Sequence, residues 1–283
     1  MGLDVKSAGY LLIVFLLALC CVGAGKTWRF FRRKKLLHIP ASDLWKGFLA
    51  TNIPLYTYLS DSLKEELHGH INVFLDEKRF EGCGGIEIND EIRVTIAALA
   101  CILLLNRKTD YYPKLKSILV YPHPYVAEDA GMLGDMRVNA HSVRAGESWS
   151  TGVVVIAWDQ VNCRARNIGG AYNVVLHEFA HQLDEEDGSG TMGVPILGEG
   201  SSYATWAKIL GGEYHNLLQK VDRDEADVMS DYGATNEAEF FAVATETFFE
   251  KPLQFRKAHP ALYDQLKGYY KLDPAGWLSS DLK

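Results

Sequence analysis

Apolar positions along the chain fall into three kinds of pattern. The first is an unbroken run: between Lys6 and Lys26 stand 19 residues without a charge, SAGYLLIVFLLALCCVGAG. A helix of that length reaches about 28 Å, close to the hydrocarbon thickness of a bilayer. It lacks the polar stripe of a core helix, so it predicts one transmembrane helix at about residues 7–25. The second pattern is helical spacing. Leu63, Leu67, Ile71 and Phe74 follow the capping pattern Ser62-Leu63-Lys64-Glu65. Asn89-Asp90-Glu91 opens a strongly apolar helix to about Leu105, another begins near Asn173, and the last third reads as mainly helical. The third pattern is the short apolar run. Leu115 to Tyr121 (LKSILVY), closed by Pro122 and Pro124, and Gly152 to Trp158 (GVVVIAW) read as buried strands. Helices, a few strands and helices again predict an α+β unit over residues 37–283, mostly helical to residue 110.

Composition narrows the class. With 48% hydrophobic and 23% charged residues the 283-residue chain is not disordered, and five cysteines do not make a disulfide scaffold. A net charge of -7 excludes nucleic-acid binding through overall positive charge, and no direct nucleic-acid contact is expected. The average hides an asymmetry. Lys26, Arg29, Arg32, Arg33, Lys34 and Lys35 form a basic collar at 26–36 without an acid, whereas residues 36–283 hold 22 basic and 35 acidic residues. Positive residues beside an apolar helix stay on the cytoplasmic side. The expectation is an inner-membrane anchor with a cytoplasmic body and a collar that touches anionic lipid. A cleaved signal ending at Val22-Gly23-Ala24 is the competing reading; an n-region with Lys6 alone and the basic run beyond the site oppose it.

His177-Glu178-Phe179-Ala180-His181 carries the chemistry. Four residues apart on a helix, His177 and His181 share a face and converge on one metal ion. Glu178 is rotated by about 100° from His177, which directs it to a water beside the metal. Imidazole nitrogens with an open position suit zinc. No histidine follows at the spacing of a third imidazole ligand, since positions 184 and 187 are both Asp, so a carboxylate from a later helix is required. The stretch Asn236 to Glu250 offers Glu237, Glu239 and Glu246, with Glu239 and Glu246 on one face. Asn236-x-x-Glu239 also reads as a helix cap. Asp184 and Glu246 are candidates to accept the second N–H of a liganding histidine. Strand 152–158 is a candidate to pair with an extended peptide.

Three runs together resemble the Mlc titration factor A family: His177 to Asp184 (HEFAHQLD), Arg79 to Gly85 (RFEGCGG) and Ala238 to Val243 (AEFFAV). The likeness covers roughly residues 45–280. It implies a bacterial zinc peptidase with a zincin-like catalytic domain of the gluzincin type, related to that of anthrax lethal factor. It also implies that Glu239 is the third zinc ligand, and that Tyr232, seven residues earlier, faces the scissile carbonyl. The expected activity is hydrolysis of peptide or protein substrates, aminopeptidase-like. The family's transcription-regulator partner supplies the alternative, a binding protein that sequesters a regulator with the metal site secondary.

Overall fold

Side-chain caps decide where most helices begin. In a computed structural model that describes residues 23–126, 143–144, 146–149, 152–162, 173–186, 192–198 and 200–280, Ser42, Asn89, Asn173, Ser202 and Asn236 each accept the backbone N–H three residues on. The helix behind Leu63 starts earlier than its capping pattern suggests: Ser60, not Ser62, is extended and caps Leu63 N, which leaves Asp61 in the first turn. The elements run α1 (23–36), α2 (Asp43–Asn52), α3 (Pro54–Thr57), α4 (Asp61–Glu77), β1 (Arg79–Gly82) and α5 (Asp90–Ile102). Then come β2 (Ser117–Tyr121), β3 (Tyr125–Val126), β4 (Val143–Arg144), β5 (Gly146–Trp149), β6 (Val153–Ala157) and α6 (Trp158–Asn162). α7 (Val174–Asp184), α8 (Tyr203–Asp222), a 3-10 turn (Asp231–Ala234), α9 (Glu237–Glu250), α10 (Pro252–Ala258), α11 (Pro260–Tyr270) and α12 (Pro274–Ser280) complete the chain.

One small sheet has the order β1-β2-β6-β5, with β1, β2 and β6 parallel and β5 antiparallel to β6. The two apolar runs are therefore neighbours, in the register Ser117↔Val153 to Tyr121↔Ala157. Both edges of β6 are occupied, so the expected pairing of a peptide with strand 152–158 does not hold. Gly152 turns the chain into β6 at φ +84, and a Cβ there would lie 2.4 Å from Lys114 O. Gly152→Ala is expected to destabilise the fold by about 1–3 kcal/mol, read as a lower urea midpoint.

α7 packs on β5, β6, α5 and α9. Its rotation is set by Phe179, fully buried with its ring centroid 4.9 Å from Tyr112 and 5.7 Å from Phe74. Residues two apart on a helix point to nearly opposite sides. Burial of Phe179, worth about 1.5–3 kcal/mol, thus turns His177 and His181 toward α9.

These observations correct the expected class. The described residues are mostly helical with a small, largely parallel sheet, not the expected α+β arrangement. Segment 7–25 lies outside the described residues except for its last three, and these open α1. Among the described residues no helix is long and apolar enough to cross a membrane, which corrects the inner-membrane placement as well. Three arginines of the collar face the acidic body. Arg29 and Arg33 both bond Glu77, at 2.8 and 2.6 Å, Arg33 reaches Asp110 at 2.6 Å, and Arg32 pairs with Asp76. Burial would raise the Glu77 carboxyl, but the two arginines hold it down at about 2. Half of the basic cluster is therefore neutralised by the acidic body and fastens α1 to the end of α4.

Candidate metal centre

His177 and His181 lie on one face of α7, as the four-residue spacing requires, and Glu239 meets them from the first turn of α9. His177 Nε2 is 3.2 Å from His181 Nε2 and 2.9 Å from Glu239 Oε2, and His181 Nε2 is 3.4 Å from the same oxygen. A tetrahedral zinc with bonds near 2.0–2.1 Å separates its donors by about 3.3 Å, so the triangle fits such an ion. Its chemistry fits too. Three lone-pair donors face one another at these distances only when a proton or cation lies among them.

The centre is strongly cation-seeking. Burial lowers the proton affinity of the His177 imidazole, but hydrogen bonds to Glu239 and Glu246 outweigh it and raise the group to about 10. Burial raises Glu239, yet the hydrogen bonds from His177 and His181 bring it down to about 2. Glu178, on the same helix, is pushed up to about 7, first by burial, with the two histidines opposing. Among the described residues the three donors form the one cluster with metal-ligand geometry.

At Glu239 the cap and an approach to the two histidines are compatible. Its backbone N–H bonds Asn236 Oδ1 at 3.0 Å while its carboxylate faces the histidines. Glu237, one helical position from the cap, is exposed and outside the triangle. Glu246, two turns along α9, is buried and accepts from His177 Nδ1 at 2.5 Å through one oxygen and from Asn173 N at 2.8 Å through the other. A carboxylate only accepts, so this bond places a proton on Nδ1 and leaves Nε2 facing the centre, where it donates to Glu239 in the metal-free protein and would offer its lone pair to a bound metal. Asn173 also donates to Glu250, at 2.9 Å. Sequence reasoning placed Asn173 near a helix start and missed these ties; an Asn at a helix entrance is common, and its partners lie 73 and 77 residues away.

Asp184 is not the histidine's acceptor. Its two oxygens accept from Gly193 N at 2.7 Å and Val194 N at 2.6 Å, which fastens residues 192–194 to the end of α7. Gly193 sits at φ +69 where a Cβ would be 2.4 Å from Glu237 O, so the same loop also touches the start of α9. Tyr232 lies in the 3-10 turn that precedes α9, its ring centroid 5.8 Å from that of His177 and the residue 52% exposed, so it lines the open side of the centre. His123 stands apart on the surface against Asp159, and His141 lies outside the described residues.

The sequence matches the family described as glucose-regulated metallo-peptidase M90 over residues 27–271. This chain belongs to that family. The M90 match begins inside α1 and takes in the collar from residue 27, ahead of the region of the motif resemblance. An uncharacterized protein of Synechocystis sp. is 40% identical over 249 residues, covering 87% of this chain and 90% of that protein. Two proteins named Mlc titration factor A are similar as well. That of Klebsiella pneumoniae subsp. pneumoniae is 31% identical, over 81% of this chain and 86% of its own. That of Escherichia coli O7:K1 is 30% identical, over 80% and 85%. A metallopeptidase family calls for a metal ion, and His177, His181 and Glu239 are the residues here that can hold one.

Within this M90 member, Glu246→Gln keeps the shape of the buried acceptor and removes its charge. Metal affinity is expected to fall by about 10–100-fold, as on loss of a ligand's hydrogen-bond partner, and chelator competition measures it.

Proposed function

We propose that the chain is a zinc-dependent peptidase of the gluzincin type that hydrolyses peptide bonds with an aminopeptidase-like preference. The observation that carries the reading is the donor triangle of His177, His181 and Glu239 with Glu178 on the same helix. A purely structural zinc has four protein ligands, whereas three leave a position for chemistry.

When bound, zinc supplies Lewis acidity toward water and a carbonyl oxygen. Glu178 accepts the proton of the attacking water at its carboxylate and later delivers it to the departing amine. Among the described residues no donor occupies that carboxylate, and burial keeps its proton affinity near that of the neutral pH range. The phenol of Tyr232 donates to the carbonyl oxygen as charge develops on it. Glu246 holds the His177 ring through Nδ1. β5 is the sheet edge nearest α7, and a peptide backbone can align along it.

Metal analysis of the purified chain with a peptide-library assay tests the proposal. Roughly one zinc per chain and cleavage are expected, with free N-termini preferred over acetylated ones. A folded sample that binds no zinc overturns it, and equal cleavage of acetylated peptides overturns the aminopeptidase part. The name of two relatives, Mlc titration factor A, favours a second reading in which the chain sequesters a transcription regulator. Equal recovery of a regulator by tagged wild type and Glu178→Gln, without peptide cleavage by either, would support it.

A further inference from the structure

Tyr232 sits in the connection between α8 and α9, where Met229 is buried in the core and Val228 and Ala234 pack against it. Besides these apolar contacts, an ionic cluster away from the metal centre holds the connection. Asp227, its side chain 1% exposed, accepts from Lys220 Nζ of α8 at 2.5 Å and from Met229 N at 2.9 Å. His259 Nε2 reaches both of its oxygens, at 2.9 and 3.2 Å. The other ring nitrogen, His259 Nδ1, lies 2.8 Å from Glu213 Oε2 on α8. Carboxylates only accept hydrogen bonds, so both ring nitrogens carry hydrogen and His259 is an imidazolium between two carboxylates. With Lys220 the four charges balance, the condition under which a buried cluster is tolerated.

The cluster is anchored on one side and leads to Tyr232 on the other. His259 joins α10 to α11: its N–H bonds Phe255 O at 2.8 Å and Pro260 follows it. Beyond Asp227, Ser230 caps the 3-10 turn through Tyr232 N at 3.3 Å. At Gly233 a Cβ would stand 3.2 Å from Leu217 and 3.3 Å from Val243, so the turn is wedged between α8 and α9. Four residues separate the clamped Asp227 from Tyr232.

We infer that His259 is a positioning residue: by clamping Asp227 against α8 it fixes the 3-10 turn and thereby the Tyr232 phenol beside His177. The inference rests on the reading that Tyr232 donates to the scissile carbonyl. Removing the imidazolium leaves Glu213 and Asp227 without their shared cation. The loop then relaxes while the donor triangle, held by α7 and α9, stays in place.

A double-mutant cycle on the full chain tests it, with a peptide cleaved by the wild type as probe. His259→Asn is expected to lower kcat by about tenfold, the scale of a small misplacement of a reacting group, with KM and zinc content changed less than about twofold. In a Tyr232→Phe background the same substitution is expected to change kcat less than about twofold, because the phenol it positions is gone. Asp227→Asn, a softer change in the same clamp, is expected to show the same non-additivity if His259→Asn does not fold. Equal loss of kcat in both backgrounds means a merely structural role and overturns the inference alone. Unchanged kcat in His259→Asn overturns it as well. Wild-type turnover by Tyr232→Phe overturns the reading of Tyr232 and the inference with it.

Discussion

Glu178→Gln is expected to lower peptide hydrolysis by about 10²–10⁴-fold, the range of a positioned general base, and to retain the metal content of the wild type. The two halves of the expectation have separate causes. Glutamine matches glutamate in size and accepts no proton at neutral pH, so proton transfer from the attacking water loses its acceptor. The donor triangle does not include Glu178, so its geometry survives. The substitution also removes a carboxylate whose ionisation burial opposes. In the protein alone this group is raised to about 7 from an ordinary value near 4.5. A carboxyl raised on folding binds its proton more tightly in the native state, so the ionised form costs stability as pH rises from the ordinary value through 7. Glu178→Gln is therefore expected to melt no lower than the wild type near neutral pH. A bound dication draws the Glu178 value down, which places the acid limb of the wild-type rate profile below 7. Turnover by Glu178→Gln at the wild-type rate would sink the proposed chemistry, whatever the metal content.

Glu239→Ala is expected to lose the metal, and peptide hydrolysis with it. The carboxylate is the one charged member of the donor set; without it two neutral imidazoles remain, and a hydrolytic zinc with two protein ligands is not retained against competing chelators. Affinity should fall further than the about 10–100-fold expected at Glu246, because a donor is lost and not merely its orientation. Glu237→Ala is the matched control: two positions away, exposed and outside the triangle, it should leave zinc binding as in the wild type. Competition with a chromophoric chelator reads both variants. Zinc bound equally by Glu239→Ala and wild type would remove Glu239 from the ligand set and with it the three-ligand centre.

Legibility from sequence followed distance along the chain. His177 and His181 were readable because the helix itself sets their separation, and the apolar residues before them predict that helix. Asn236 and Glu239 offered two readings, cap and ligand. Backbone and side chain of one residue serve different partners, so neither excluded the other. The start of α4 was placed two residues late because Ser60 and Ser62 are both competent caps, and only the extended backbone at Ser60 selects it. Asp184 and Glu246 looked equivalent, each a carboxylate on a helix at suitable spacing. α9 carries Glu246 to His177 Nδ1, whereas the loop that returns at Gly193 takes up Asp184.

The basic collar shows the same limit in electrostatics. Six cations beside an apolar run read locally as a topology signal, because nothing nearby in sequence neutralises them. Asp76, Glu77 and Asp110 neutralise the three arginines from 44 to 77 residues away, and dock the helix over residues 23–36 onto the body. β6 likewise reads as a strand from its β-branched run, but its place between β2 and β5 depends on a pairing that no local pattern encodes.

By itself, then, the sequence determined the helix of the HEFAH run, the paired imidazoles and the place of Glu178 beside them, since the 3.6-residue turn converts their spacing directly into geometry. The tertiary structure decided which glutamate completes the donor set, which one orients His177, and what the arginines of α1 hold. Those choices depend on side chains brought together by packing, and chain separation carries no information about them.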